Sequence, residues 1–416
     1  MKISVIGGGS TYTPELMEGF IELSSEIYPI DLYLMDINEE RLEVVSNFLV
    51  RMARKSKANI NIKTTTYLEQ AIEDADFVIN QIRVGGQRAR LLDETIPLEF
   101  NLLGQETTGV GGFANALRTI PVALNIAKKI EELSPSAWLI NFANPSGIIT
   151  EAISKYTKAK VLGLCNVAIN FQNQFARLFG VSMDDVFMDY FGLNHLTFVR
   201  RIYVKGKDRT EEAFKKIKEN LFEEERKVLD YLNMFPNHYL RYYYFREEKV
   251  MEMKSKPKRA EEVMKIEEDL LKLYRDANLD EKPKELEKRG GALYSKSAVN
   301  LIFHLLGLRK GFQIVNIVNE GAIFDLPHNV VVEIPVYIEG ERIQRYVIGN
   351  LPKEVRGIIQ AVKTYEELTI ESAVEGSFKK ALWALAQHPL ISSLSLAEKV
   401  LKRLIEENKD YFPKLS

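Results

Sequence analysis

The chain has 416 residues, of which 46% are hydrophobic and 27% charged, values typical of a globular protein with one large or two smaller domains. Its 56 basic and 58 acidic residues give a net charge of −2, which favours neither nucleic acid nor an anionic membrane as a partner. A single cysteine excludes an internal disulfide, and no apolar run reaches the roughly 18 residues of a membrane helix, so we expect a cytoplasmic protein.

The first 200 residues alternate short β-rich apolar runs with amphipathic helical patterns. Thr13 and Pro14 suit the N-cap and first turn of a helix, and Asn38 precedes a second helical pattern. Alternating strands and helices predict a parallel sheet with right-handed crossovers. The predicted strands cover residues 2–6, 31–35, 59–64, 76–82, 137–142 and 159–164.

The pattern changes beyond about residue 205. Residues 206–290 are dense in Lys and Glu, which predicts long helices with solvated faces. Two β-rich runs, "NVVVEIPVYI" and "ERIQRYVI", predict a hairpin that turns at Glu339 and Gly340. Ser395 and Glu398 fit a capping box at the start of the last helix.

The stretch "VIGGGSTYTPEL" lies between the first predicted strand and the first helix. Gly7 and Gly9 fit the first two glycines of a dinucleotide-binding fingerprint, although Tyr12 occupies the third position. Asp36 ends the second predicted strand, where a carboxylate can bind a ribose 2′-hydroxyl and disfavours the extra phosphate of NADP. We therefore predict an NAD site rather than a merely structural turn. The predicted cofactor-binding residues are Gly7, Gly9, Ser10, Thr11, Asp36 and Arg41.

Nine sequence blocks follow one another along nearly the whole chain. They are "GGGSTYTPEL" (7–16), "GQETTGVGG" (104–112), "NFANPSG" (141–147), "GLCNVAIN" (163–170), "GLNHLTF" (192–198), "YLRYY" (239–243), "KRAEEVMKIE" (258–267), "KRGGALYS" (288–295) and "VEIPVYI" (332–338). Together and in this order the chain resembles the NAD- and manganese-dependent glycosidases of glycoside hydrolase family four. Within that family it is most similar to the 6-phospho-β-glucosidases.

The resemblance implies an α/β fold like that of lactate and malate dehydrogenases. Residues 1–190 would form a Rossmann-type NAD-binding domain with a parallel sheet. Residues 191–416 would form a mixed α+β domain for substrate, metal and subunit assembly. The family also implies a homodimer or homotetramer, without nucleic acid or membrane partners.

The chemistry that the resemblance implies is a hydrolysis made of redox steps. NAD⁺ takes hydride from C3 of the sugar, a base removes the C2 proton, the C1–oxygen bond breaks, water adds and hydride returns. Mn²⁺ or another divalent metal polarises the C3 oxygen. The expected substrate is a 6-phosphorylated β-glucoside or disaccharide.

Cys165 and His195 match the metal ligands of the family, although two such residues 30 positions apart would by themselves favour core packing. Tyr239 matches the base, and Glu106 the acidic residue that raises its basicity. Because a free tyrosine has a pKa near 10, the base needs a positive charge nearby, from the metal or from Arg241. Without the resemblance, this tyrosine cluster would indicate a core or a dimer interface.

The substrate site is also assigned from the resemblance. Arg90 follows the fourth predicted strand, where ligands collect in such sheets, and Asn144 precedes a proline, so that a cis peptide bond is an option there. Asn166 occupies the place of an Asp that acts as the acid in 6-phospho-α-glucosidases, and an amide favours the β-specific branch. The predicted substrate-binding residues are Arg90, Asn144, Asn166, Arg259 and Arg289.

Two residues depart from the family pattern: Ala168 and His238 each stand where proline is usual. Both neighbour predicted active residues, so they bear on fine specificity and proton handling. Three alternatives remain open. They are a 6-phospho-α-glucosidase or other glycosidase of the family, a hydroxy-acid dehydrogenase of the same fold, and a nucleotide-sensing protein without turnover.

Overall fold

The computed structural model describes residues 1–26, 29–290 and 293–416, so that Gly291 and Ala292 of the block "KRGGALYS" lie outside the described residues. The strands are β1 Lys2–Ile6, β2 Ile30–Met35, β3 Ile60–Thr65, β4 Phe77–Asn80, β5 Trp138–Asn141, β6 Lys160–Gly163, β7 Val186–Leu193, β8 Leu196–Val204, β9 Lys207–Asp208, β10 Phe235–Pro236, β11 Gly311–Val318, β12 Val331–Glu339 and β13 Arg342–Arg345. The helices are α1 Thr13–Glu26, α2 Glu39–Ser56, α3 Leu68–Ile72, α4 Gly86–Glu99, α5 Gly109–Leu133, α6 Ser146–Tyr156, α7 Asn166–Phe179, α8 Thr210–Ile217, α9 Glu223–Leu232, α10 Leu240–Tyr244, α11 Arg246–Ser255, α12 Arg259–Tyr274, α13 Tyr294–Leu305, α14 Lys353–Glu375, α15 Phe378–Gln387 and α16 Leu394–Glu407.

The larger sheet contains all six strands that the sequence predicts in the first half. In the described residues its order is β13-β12-β11-β6-β5-β4-β1-β2-β3, and β1 to β6 pair in parallel. The predicted hairpin is confirmed as β12 and β13, which pair antiparallel, but it turns at Gly340 and Glu341, because Glu339 still pairs with Arg342. Strand β11 was not predicted: it joins this hairpin to the edge of β6, where Asn316 pairs with Gly163. The second half of the chain therefore completes the sheet of the first half.

A smaller antiparallel sheet was also not predicted. Strands β7 and β8 pair from Val186–Val204 to Leu193–Leu196, and β9 and β10 pair with β8. A two-residue turn, Asn194 and His195, joins β7 to β8. This turn places His195 at the end of a rigid hairpin.

Helix starts and lengths in the second half differ in part from the sequence expectation. The region 206–290 is helical, but its helices have 5 to 16 residues rather than being long. The predicted cap at Ser395 is wrong, because α16 begins two residues earlier and Ser393 accepts a hydrogen bond from the Leu396 amide. In the first half, the helical pattern after Asn38 is confirmed as α2, and Asn38 caps this helix by accepting from the Arg41 amide at 2.9 Å.

The main core fills both faces of the larger sheet. Ile3 and Val5 of the central strand β1 are fully buried, as are Phe20 of α1 and Phe113 of α5. No helix among the described residues has the length and apolarity needed to cross a membrane. The sheet thus provides a fixed base for the side chains at the carboxyl ends of its strands.

A buried ion group ties α14 to α6 and to the sheet. Lys363 is 2% exposed and lies 2.7 Å from an oxygen of Glu151 and 2.5 Å from one of Glu366. The same oxygen of Glu151 accepts the Val331 amide of β12 at 2.8 Å. Glu151 also pairs with Lys155 at 2.7 Å, so removing Lys363 would mainly deprive the buried Glu366 of its counter-charge.

We expect Lys363→Met to destabilise the protein by about 3–5 kcal/mol, because it leaves the buried carboxylate of Glu366 without a counter-charge. The measurement is urea unfolding followed by circular dichroism. Lys353→Met, at the exposed start of the same helix, is the matched control and should change stability by no more than about 0.5 kcal/mol. Equal effects of the two substitutions would contradict the stabilising role of the buried lysine.

Candidate active site

The glycine loop turns tightly between β1 and α1. Gly7 has a φ of +88° and its amide donates to the carbonyl of Met35 at 2.9 Å. A Cβ atom at Gly7 would lie 3.1 Å from the carbonyl oxygen of Gln81, so both the backbone angle and the space require glycine. Next in the loop, Thr11 is fully buried and, among the described atoms, its hydroxyl has no hydrogen-bond partner. An unsatisfied hydroxyl in a glycine-rich loop at a strand–helix junction fits a site for a polar ligand such as a dinucleotide.

Three predicted cofactor residues meet at Gly9. Its amide donates to Asp36 at 2.9 Å, and the other oxygen of Asp36 accepts the Asn38 amide at 3.0 Å. Its carbonyl accepts from the guanidinium of Arg41 at 3.3 Å. Ser10 follows, and its hydroxyl accepts the amide two residues on, at 3.2 Å. The structure therefore brings the predicted cofactor-binding residues together around one loop.

Glu267 of α12, which was not predicted as a site residue, joins the second half of the chain to this loop. It pairs with Arg41 at 3.2 Å and with Arg289 at 2.9 Å, and it accepts from Gln87 at 3.0 Å. Arg289 also lies 5.5 Å from the ring centre of Tyr12. These contacts place Arg289 beside the glycine loop, and its assignment to the substrate stays a prediction.

The predicted metal ligands face each other. Cys165 precedes the first residue of α7 and His195 lies in the β7–β8 turn, with 3.5 Å between the thiol sulfur and Nε2. Burial raises the pKa of Cys165 to about 12 and lowers the pKa of His195 to about 3. The neutral imidazole suits a metal ligand, and the thiol would lose its proton on binding a cation.

The donor set fits a metal that shares its coordination with other ligands. A thiolate and an imidazole suit a borderline divalent ion. In the described part of the chain, no three His, Cys, Asp or Glu side chains are grouped to hold a metal. Cys165 and His195 would therefore leave positions open for substrate oxygens and water.

Tyr239, the predicted base, stacks on the metal-ligand candidate. Its ring lies 4.3 Å from that of His195, at 16° between planes, and 4.5 Å from that of His238. Burial raises the pKa of the Tyr239 phenol, and the charge of Glu106 is among the groups that raise it further. Arg241, considered above as a source of positive charge, lies instead 5.3 Å from the ring centre of Tyr242.

Glu106 sits between two arginines at the carboxyl edge of the sheet. It pairs with Arg83 and, at 3.1 Å, with Arg90, which also donates to Glu94 at 2.8 Å. Burial would raise the pKa of Glu106, but the two guanidinium groups outweigh it and lower the pKa below its usual value. The carboxylate therefore stays ionised. Arg83 was missed, although its position three residues beyond the end of β4 is the available signal.

Three further predicted substrate residues, Asn144, Asn166 and Arg259, lie next to the ends of three different strands or helices. Asn144 follows β5, and the Asn144–Pro145 peptide bond is cis. Asn166 opens α7, with its amide oxygen 3.9 Å from the neighbouring thiol. Arg259 opens α12 and donates to the carbonyl of Lys288 at 2.6 Å. Asn166 therefore lies next to the candidate metal pair, whereas the roles of Asn144 and Arg259 stay predictions.

Ala168, one of the two departures from the family pattern, is buried on α7. It packs with Phe175, Met188 and Tyr190 in the core beneath the smaller sheet. Helix α7 is thus held against the hairpin that carries His195.

Fold and site together define a dinucleotide-binding α/β protein in which a thiol, an imidazole and a phenol meet near the carboxyl edge of a parallel sheet. The fold is similar to that of malate dehydrogenase from Plasmodium falciparum, with a TM-score of 0.57 and 15% identity over 90% of this chain and 99% of the other. At that identity the likeness concerns the fold alone. It confirms the predicted fold class.

The family follows from the sequence comparisons. The model for family 4 glycosyl hydrolases matches residues 2–181, and the model for their C-terminal domain matches residues 190–391. This chain belongs to glycosyl hydrolase family 4, as predicted. A probable 6-phospho-beta-glucosidase from Bacillus subtilis is 41% identical, over 99% of this chain and 97% of the relative. The solved structure of 6-phospho-beta-glucosidase from Thermotoga maritima with manganese, NAD⁺ and glucose-6-phosphate is 41% identical, with a TM-score of 0.95 and 100% of both chains covered.

Proposed function

We propose that this chain hydrolyses 6-phospho-β-glucosides with NAD⁺ and a divalent metal, Mn²⁺ by preference, as cofactors. One observation carries the proposal: in a family 4 chain, the Cys165 thiol lies 3.5 Å from the His195 imidazole, which stacks on the Tyr239 ring at 4.3 Å. Two relatives at 41% identity are a 6-phospho-beta-glucosidase from Thermotoga maritima and a probable one from Bacillus subtilis. A tyrosine base and two metal-ligand side chains in one buried place support this chemistry.

Each cofactor has a set of residues in this chain to hold it. When bound, NAD⁺ supplies a hydride acceptor for sugar C3, and the metal supplies a Lewis acid for the C3 oxygen. Gly9, Asp36 and Arg41 would hold the dinucleotide, because they form one hydrogen-bonded group at the end of β1 and β2. Cys165 and His195 would hold the metal.

Tyr239 would take the C2 proton onto its phenol oxygen. A C2 proton is acidic enough for this only while its neighbour C3 is a carbonyl carbon. Burial works against the phenolate, so a positive charge next to the ring is required. The stacked ring of His195 places Tyr239 beside the proposed cation, and Glu106 adds basicity from a distance. This is the chemical reason for a metal and a tyrosine in one pocket.

Recognition of the substrate would combine charge and shape. Arg90 would bind the 6-phosphate, for which its guanidinium must exchange contacts with Glu94 and Glu106. Asn144, Arg259 and Arg289 are proposed as further contacts. Asn166, next to the thiol, is an amide and has no acidic proton for the leaving group, which favours β- over α-glucosides.

We further propose a cytoplasmic homodimer or homotetramer. NAD⁺ and phosphorylated sugars are metabolites of the cell interior, and this supports the location. Residues 1–190 and 191–416 are kept as the proposed domains: the first carries the glycine loop and Cys165, the second His195 and Tyr239. The catalytic groups would then lie between the two.

The first test is an assay with a chromogenic 6-phospho-β-glucoside. We expect hydrolysis that needs both NAD⁺ and Mn²⁺, because the chemistry depends on a hydride acceptor and a Lewis acid. Chelation of the metal should abolish the rate, and added Mn²⁺ should restore it. NADH should not accumulate, whereas a hydroxy-acid dehydrogenase would accumulate it. Activity that survives removal of both cofactors would exclude the proposed mechanism.

The base assignment is tested by Tyr239→Phe. In deuterated water we expect the wild-type product to carry deuterium at C2, and the variant to lose that label together with about 10²- to 10⁴-fold in kcat. NAD⁺ binding, measured by fluorescence titration, should persist. Tyr244→Phe, a half-exposed residue five positions on, is the control and should label normally. Full labelling by Tyr239→Phe would show that the base lies elsewhere.

Cofactor choice is tested by Asp36→Ser. The substitution removes a carboxylate that would repel the 2′-phosphate of NADP⁺, so the ratio of the Kd for NADP⁺ to that for NAD⁺ should fall by about tenfold or more. NAD⁺ itself should bind more weakly, because the ribose loses its acceptor. Asp31→Ser, at the other end of β2, should leave the ratio unchanged. Isothermal titration gives both constants, and an unaltered ratio in Asp36→Ser would contradict the assignment.

A further inference from the structure

A buried carboxylate contacts the turn that carries His195, one of the two candidate metal ligands. Glu333 of β12 is 1% exposed and accepts hydrogen bonds from Tyr190 at 2.6 Å, from Asn194 at 2.7 Å and from Asn316 at 3.2 Å. All three donors are neutral. Within the described residues, no Lys or Arg forms an ion pair with it. A charge buried in this way is costly, so the fold retains it against a penalty.

Three neutral hydrogen-bond donors do not fully offset the free-energy cost of burying the Glu333 carboxylate. Burial raises the pKa of Glu333, and the three hydrogen bonds only partly oppose it. Glu333 binds the side chain of Asn194, which precedes His195 in the chain, so its carboxylate lies close to the candidate metal pair. A cation held by the thiol would therefore experience an attraction from Glu333.

Glu333 also holds the turn that carries His195. Both polar atoms of the Asn194 side chain are hydrogen-bonded: its amide nitrogen donates to Glu333, and its oxygen accepts from the Gly147 amide at 3.4 Å. His195 follows with a φ of +65°, a left-handed conformation that a non-glycine residue keeps only when its surroundings impose it. Fixing Asn194 fixes the direction of the next side chain.

We infer that Glu333 is a positioning residue of the proposed metal centre. Through Asn194 it aims the imidazole of His195 at Cys165, and its negative charge favours a divalent cation at that pair. The inference rests on the proposed function, since it requires the metal to bind between these two side chains. Outer carboxylates that orient metal-bound histidines contribute about 10- to 100-fold to metal affinity in other proteins.

The test measures Mn²⁺ affinity rather than activity. Full-length protein saturated with NAD⁺ is titrated with Mn²⁺, and free Mn²⁺ is followed by electron paramagnetic resonance. We expect Glu333→Gln, which has the same shape without the charge, to raise the Kd for Mn²⁺ by roughly 10- to 100-fold. The Kd for NAD⁺ should stay within twofold, which a general loss of structure would not allow. Glu366→Gln removes another buried carboxylate and should leave the Mn²⁺ affinity unchanged.

Asn194→Ala separates position from charge, and it decides the matter if Glu333→Gln does not fold. It breaks the link to the His195 turn while Glu333 remains, and we expect a Kd for Mn²⁺ that is about tenfold higher. A rise of less than fivefold in each variant that folds would overturn the inference.

Two ligand variants distinguish this failure from a failure of the proposed function. Cys165→Ser and His195→Ala should abolish specific Mn²⁺ binding. If they retain it, the metal site itself is misplaced and the inference falls with it. If they lose it while Glu333→Gln and Asn194→Ala bind normally, the metal site stands and only the role of Glu333 is wrong.

Discussion

The approach of the Cys165 thiol to the His195 imidazole, at 3.5 Å, is the contact on which the remainder of the site depends. The two residues of this contact belong to different parts of the fold. One comes from the junction of β6 and α7 in the parallel sheet, the other from a two-residue turn in an antiparallel hairpin. A shift of either support by about an ångström would separate the pair, so packing between the two sheets determines whether a cation can be shared.

Burial sets the protonation states around this contact. It keeps the imidazole of His195 neutral and the thiol of Cys165 protonated until a metal competes for it. The arginines at the sheet edge are paired: Arg83 contacts Glu106, and Arg90 contacts both Glu106 and Glu94. The pocket is thus prepared for an incoming cation and an incoming phosphate, each of which replaces a contact already made inside the protein.

Local sequence patterns predicted the six parallel strands and the glycine loop, because strand alternation and glycine spacing are short-range signals. They did not reveal the β7–β8 hairpin, whose strands are nearly continuous apolar runs joined by Asn194 and His195 instead of a glycine-containing turn. Glu267 and Glu333 were also missed. Their partners lie far along the chain, as with the 226 residues between Arg41 and Glu267, and no local pattern encodes such a pairing. Family resemblance, not periodicity, selected Cys165.

Strands β11, β12 and β13 are synthesised long after β6, and this order leaves one edge of the sheet exposed during translation. Strand β6 ends at Gly163, and β11, which covers its edge, begins only at Gly311. At ribosomal rates of about 5–20 residues per second, the nascent polypeptide would wait roughly 7 to 30 seconds with that edge uncovered. An uncovered edge invites pairing with a neighbouring chain, so the arrival of β11 removes a site of aggregation from the growing sheet.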